Sequence, residues 1–321
     1  MKSSVRLFLL LACLAAPIAS ARAASLDSDV IALFPKDVSQ LSYADLKQAR
    51  QFPWYPQLEA QILPVRLADF QQFLTAQQMG AGTHIDEVAW AMLTRNSGIA
   101  GVAIGQFDEA TAESFMNGQN TPRFEVENVT VYESTAGIGA DAVFFCFLDS
   151  NTVLFGSRTQ VARLIGVHEG AEANLLQNQA MFQLIGQVNG DAMFWGVFSP
   201  EASGAAVARL IPGASGYSQA KALLSRLDGM AFSVENSSDT DMGIDFKVVC
   251  ASPEDALLFS QVAQASILMR RYQSSHDDPA LAEALASERI APAGNQFDIS
   301  IDLTHKELLS LIEHNILVSG M

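Results

Sequence analysis

The chain has 321 residues, 49% of them hydrophobic, with 19 Lys and Arg against 35 Asp and Glu and a formal charge of −16. That much apolar material builds a core and excludes a disordered tail. The acidic balance repels phosphate backbones and anionic lipid surfaces, so nucleic acid is not an expected partner.

Residues 1–23 read as a signal peptide. Lys2 and Arg6 give a positive start, Leu7 to Ala16 an apolar run, and Ala21-Arg22-Ala23 a small-residue cleavage site before Ala24. A membrane anchor is disfavoured, because spanning takes roughly twenty apolar residues and Pro17 interrupts the run. Leu10-Leu11-Ala12-Cys13 offers a lipoprotein alternative, with lipid on Cys13. The expected location is extracytoplasmic, in the periplasm or secreted, with no transmembrane segment after cleavage. Losing Lys2, Arg6 and Arg22 takes the charge from −16 to −19.

The mature chain begins with Val30 to Pro35, an apolar run expected as a strand. Residues 41–50 (LSYADLKQAR) read as a helix capped by Ser42, and residues 66–79 as an amphipathic helix. Ile85 to Leu93 and Gly98 to Phe107 suit a hairpin, followed by a helix from Glu109 to Met116. In residues 124–133 the alternation changes phase, which places a turn or bulge at Glu127-Asn128. AVFFCFL and TVLFG flank Asp149-Ser150-Asn151 as another hairpin, and a short helix starts at Thr159.

Leu175 to Val188 reads as helical, residues 192–198 as a strand, and residues 200–227 as helix broken at Pro212-Gly213. GMAFSVEN and MGIDFKVVC form two strands around a polar turn. The clearest helix runs from Pro253 to Tyr272, with Ser252 as N-cap and Asp255 completing a capping-box start. Leu258, Val262, Ala265 and Met269 are its expected buried stripe. Asp278-Pro279 opens another helix, Phe297 to Leu303 alternates as a half-wet strand, and Thr304 with Glu307 caps a closing helix. The order suggests an α+β fold in two lobes, residues 24–170 and 171–321. Each lobe is expected as an antiparallel sheet covered by helices in the β-α-β-β-α-β, ferredoxin-like order.

Chemistry-bearing motifs fail their context. Gly137, Gly139 and Ala142 spell G-x-G-x-x-A, but they precede a strand, whereas a dinucleotide loop follows a strand and opens a helix. Gly216 to Ala220 falls one residue short of a nucleophile elbow, and a hydrolase site around Ser218 or His276 with Asp277 or Asp278 stays a minor alternative. His84, His168, His276, His305 and His314 show no ligand spacing, and SSDTDMG lacks the pattern of a Ca²⁺ loop. The expectation is therefore no cofactor, no metal and no catalytic residue. Cys146 and Cys250 read as two buried thiols, with a disulfide as the alternative.

The candidate partner-binding residues are Phe52, Trp54 and Tyr55, three aromatics on a proline-stiffened segment. Their alternative role is to tuck back onto the core, where Trp90 and Trp195 also belong.

Residues 129–165 and 250–272 resemble exported bacterial proteins of unknown function, of the DUF3352 type, and hypothetical proteins of Acidobacteria. In these a strand pair ending in a glycine and serine leads into a short helix. The resemblance implies structure only and carries over no catalytic residue. The resulting expectation is an exported binding or interaction module with an envelope protein as partner. A carrier is the alternative, with an apolar ligand among Met181, Met193, Met230, Met242 and Met269; ordinary core filling is the plainer role for those methionines.

Overall fold

The computed structural model describes residues 26–52, 55, 84–93, 96–134, 142–188, 190–210, 224–236, 241–277, 279–304 and 306–307. In chain order these form α1 (Ser28–Ile31), β1 (Val38–Asp45), α2 (Leu46–Ala49), β2 (His84–Leu93), β3 (Asn96–Gln106) and α3 (Glu109–Gly118). Then come β4 (Arg123–Val126), β5 (Val129–Ser134), β6 (Val143–Asp149), β7 (Thr152–Gly156), α4 (Arg158–His168), a 3-10 turn (Leu175–Gln177) and α5 (Gln179–Ile185). The chain continues as β8 (Phe194–Phe198), α6 (Pro200–Leu210), β9 (Leu227–Asn236), β10 (Asp241–Cys250), α7 (Pro253–Asp277), α8 (Pro279–Ala284), β11 (Arg289–Ala293) and β12 (Gln296–Thr304).

The fold is α+β, as expected, but its strands make one continuous 12-stranded sheet ordered β11-β12-β10-β9-β8-β1-β2-β3-β7-β6-β5-β4. Its strand pairs are antiparallel. The ferredoxin-like order is not what these pairs make. A split βαβ needs parallel strands with another between them, whereas β8 and β9, joined through α6, lie side by side and antiparallel. The two halves meet where β1 pairs with β8, in a register that sets Tyr43 opposite Trp195. Those two rings stack at 5.4 Å and both are buried.

Each face of the sheet carries its own apolar layer. One holds Trp90, Phe155, Phe194 and Phe232, covered by α3, α6, α7 and α8. The other holds Leu41, Tyr43, Val102 and Trp195, covered by α1, α4 and α5. Two glycines make room on the first face. A side chain on Gly101 would meet the ring of Phe155 at 2.2 Å, and one on Gly196 the ring of Phe232 at 2.4 Å. Both aromatics are the cross-strand partners of those glycines.

Two local expectations are corrected. Val30 to Pro35 is not a strand; Asp27 accepts a bond from the Asp29 amide and caps the single turn α1. Residues 41–45 are not helical but belong to β1. Its residues are buried on both faces, so the polar-apolar alternation of a half-wet strand is missing. Asp45, not Ser42, caps the short helix that follows, accepting from the Gln48 amide at 2.7 Å.

The turn expected at Glu127-Asn128 is present. Glu127 and Asn128 have φ of 46° and 68°, the signature of a two-residue type I′ hairpin turn between β4 and β5. Residues 1–23, the 66–79 segment and the helix expected beyond Glu307 lie outside the described residues. Thr304 and Glu307 do exchange the expected capping bonds, with the Thr304 amide 2.7 Å from Glu307 Oε2.

Cys146 and Cys250 are free thiols buried on opposite faces of the sheet. Burial pushes them up to about 12 and about 11 respectively. Neither should react with a thiol reagent in the native protein, and both should react once it unfolds. Glu87 on β2 accepts from Tyr43 Oη at 2.9 Å, yet burial raises its carboxyl above the ordinary 4.5. A raised folded value means that ionisation destabilises the fold, with the loss appearing as pH rises through that value. Glu87→Gln keeps an acceptor for Tyr43. It should raise the melting temperature at pH 7, with the gain vanishing below pH 4.5; a variant less stable at every pH would contradict this.

Candidate functional site

The longest helix, α7, is built from a firm start. Ser252 Oγ accepts from the Asp255 amide at 3.1 Å and donates to Asp255 Oδ2 at 2.9 Å, the capping box seen in the sequence. Arg226 Nη1 lies 2.8 Å from Asp255 Oδ1. These bonds, that of Arg226 first, hold the Asp255 carboxyl below its ordinary range. The helix start is thus tied to the strand β9 that follows Arg226.

One face of α7 enters the core through Ala256 and Phe259, with Ala263 and Ile267 packed beside them. The other face carries Leu257, Leu258, Ala265, Leu268, Met269 and Tyr272, all exposed, with Leu268 at 52%, Met269 at 64% and Tyr272 at 79%. At about 100° per residue these six fall within roughly 120° of one another, on the side away from Phe259, Ala263 and Ile267. No charged residue occurs between Asp255 and Arg270. Single exposed leucines are ordinary, but a run of apolar side chains along one helix face, interrupted by exposed Gln261, marks a candidate contact surface.

This corrects the expected buried stripe, because Leu258, Ala265 and Met269 face outward and Val262 is half-buried. The helix is apolar on two sides, so its periodicity does not choose between them. The sheet takes the side where Ala256, Ser260 and Ala263 leave room around Phe259, since small residues let helix and sheet approach closely.

A second surface lies on the other face of the sheet in this half, where Ser233, Asp245, Lys247, Asp298, Ser300 and Asp302 alternate with core residues. Several of its polar groups have partners on or beside this face, although Asp298 Oδ1 is buried without a hydrogen-bond partner among the described residues. Ser300 Oγ donates to Asp245 at 2.5 Å, Lys247 Nζ to the Gln187 carbonyl at 2.7 Å, and Arg289 pairs with Asp302 at 2.6 Å. Asp298 sits opposite Lys247, and burial raises its carboxyl despite that neighbour. The sheet edges offer less. On β11 Pro292 interrupts the row of donors, a device that blocks strand addition.

Among the sequence-derived candidates, Tyr55 is buried and Phe52 packs against the core, which is the tucked-back arrangement; Trp54 lies outside the described residues. Trp90 and Trp195 are core, as expected. Gly137, Gly139, Ser218, His305 and His314 lie outside the described residues, while Ala142 leads into strand β6. His84 approaches Asp86 at 3.3 Å, and exposed His276 lies 3.0 Å from Ser275 Oγ in the last turn of α7. Among the described residues no three His, Cys, Asp or Glu cluster to hold a metal. Met181, Met193, Met230 and Met242 fill the two core layers, whereas Met269 is exposed. The outer face of α7 was missed. Its available signal was spacing, with Leu258, Ala265 and Tyr272 seven apart and Gln261 and Leu268 seven apart.

No family model and no curated protein matches this chain. Among solved structures, crystal form I of TP0453 is similar, with a TM-score of 0.51 at 10% identity over 90% of this chain and 98% of that one. Crystal form IV of TP0453 gives 0.50 at 10% identity over 88% and 96%. At that identity the likeness concerns the fold.

The two faces of α7 should respond differently to substitution. Phe259→Ala should cost about 3–5 kcal/mol by chemical denaturation, whereas Leu268→Gln should stay within about 0.5 kcal/mol of the parent. Equal losses would mean that the outer face is packed.

Proposed function

We propose that this chain is an exported, non-enzymatic binding module of the cell envelope, and that its contact surface is the outer face of α7. Export is supported by the layout of residues 1–23, with a positive start, an apolar run and a small-residue cleavage site. The observation that carries the binding role is the apolar strip from Leu257 to Tyr272 on a helix whose opposite face is already anchored. At 1.5 Å per residue the strip is about 22 Å long. Covering a Leu side chain fully is worth roughly 1.5–3 kcal/mol, so several together offset much of the cost of association, about 4–15 kcal/mol.

Rigidity favours the same role. The strip sits on one helix fixed by the Ser252–Asp255–Arg226 bonds and by the sheet beneath, so little ordering is lost when a partner docks. Acidic charge over the rest of the chain keeps the module soluble and limits unspecific contacts.

Two measurements test the reading. Protein recovered from cells should begin at Ala24 and fractionate outside the cytoplasm; Met1 retained on cytosolic material would remove the export half. A photoreactive phenylalanine analogue at position 268 should give a covalent adduct in cells, and the same probe at position 302 on the polar face should not. Equal labelling at both positions, or none at 268, would remove the contact half.

A further inference from the structure

Resting on the reading that the outer face of α7 is the contact surface, we propose that Met269 is an oxidation site and that its sulfoxide turns the contact off. Burial divides the sulfur-bearing side chains of the described residues. Met116, Met181, Met193, Met230 and Met242 lie in the two core layers, each at 5% exposure or less. Met92 on β2 is half-buried. Met269, 64% exposed, is the one methionine among the described residues that stands in solvent. The thiols do not compete with it. Cys146 and Cys250 are buried, and burial keeps both protonated at neutral pH, whereas the thiolate is the form that oxidants attack.

Local geometry keeps the thioether open. In a helix a side chain leans towards the N-terminus, over the residues three and four positions back. For Met269 those are Ser266 and Ala265, both small. Ser266 Oγ is itself turned down onto the Val262 carbonyl at 2.8 Å. The neighbours on the same face, Leu268 and Tyr272, are 52% and 79% exposed, so the surroundings of the sulfur are open to solvent.

The oxidant is a hydroperoxide. The sulfur lone pair attacks its distal oxygen, and the S–O bond forms as the O–O bond breaks. With hydrogen peroxide the remaining oxygen leaves as water; sulfur loses two electrons and the peroxide gains them. The step is undone when two thiols of a methionine sulfoxide reductase remove the oxygen as water and become a disulfide. Oxidation converts a flexible apolar side chain into a polar one with an acceptor oxygen. A partner surface that fits Leu257, Leu258 and Leu268 is apolar, and an acceptor buried against it without a donor opposes binding. The fold is unaffected, because Ala256, Phe259, Ala263 and Ile267 hold α7 from its other side. The state of one sulfur atom thus sets the contact without unfolding the chain.

The test uses the mature chain. After dilute hydrogen peroxide, mass spectrometry of its peptides should show Met269 oxidised at least roughly tenfold faster than Met181, Met193, Met230 or Met242, which wait for the fold to open. In denaturant the rates should converge. The chain carrying the photoreactive analogue at position 268 is then oxidised, freed of peroxide and added to an envelope fraction. Its adduct yield should fall severalfold against its own untreated sample, with unchanged melting. Methionine sulfoxide reductases should restore the yield. With Met269→Leu in the same chain, peroxide should cause no fall relative to that variant's untreated sample. Met269 oxidised no faster than the core methionines overturns the site. Selective oxidation with an unchanged adduct overturns the switch while the contact surface stands. An adduct lost only together with the folded state also overturns it, since unfolding then explains the loss. No adduct from the untreated chain, despite selective oxidation, removes the contact reading and the switch with it.

Discussion

The pairing of β1 with β8 is the constraint on which the architecture rests. Each of these strands is first in its half of the chain, and each is buried on both faces. Joined in the register that stacks Tyr43 on Trp195, they turn two sets of strands into one sheet. Without that junction each half would expose an apolar edge strand, which invites pairing with other chains. With it, the remaining edges are β4 and β11. Both are short, and one carries Pro292.

A continuous sheet has two faces to cover, and the helices divide that work unevenly. In the half holding β8 to β12, α6, α7 and α8 pack on one face, while the opposite face turns polar beyond β8. Helix α7 is anchored there through Ala256, Phe259, Ala263 and Ile267. Its second apolar side, from Leu257 to Tyr272, has no counterpart in the sheet and points outward. The proposed contact surface is thus a consequence of layer geometry: one helix with two apolar sides lies on a sheet that can bury only one of them.

Local signals were legible in several short stretches that decide their own conformation, although the Asp27 cap of α1 was not among them. Glu127 and Asn128 announced a turn through a phase change, and Ser252 with Asp255 announced a helix start. The hairpins β2–β3 and β6–β7 were visible as apolar runs around polar breaks. Legibility failed where a long-range partner decides. Residues 41–45 looked helical because both faces of β1 are covered by distant residues. Strand β11 escaped notice because Arg289 to Ala293 is a short edge containing proline, tolerated only where β12 supplies all its pairing. On α7 the candidate site was half legible. The sequence shows the helix and its cap, but the side that its spacing suggests is buried, with Leu258 and Met269, is the exposed one.

What the sequence by itself determined is the class: an acidic, cysteine-poor α+β protein with defined hairpins, a capped long helix and two thiols headed for the interior. These depend on residue type and near-neighbour spacing, which act within a few residues. The tertiary structure alone decided that the strands join in one sheet rather than two, and which side of α7 meets it. Both are choices between faces of similar polarity. Such a choice is settled by packing against residues far away in the chain, where the fit of Phe259 between β-strands and helix outweighs the equal hydrophobicity of Leu258 or Leu268.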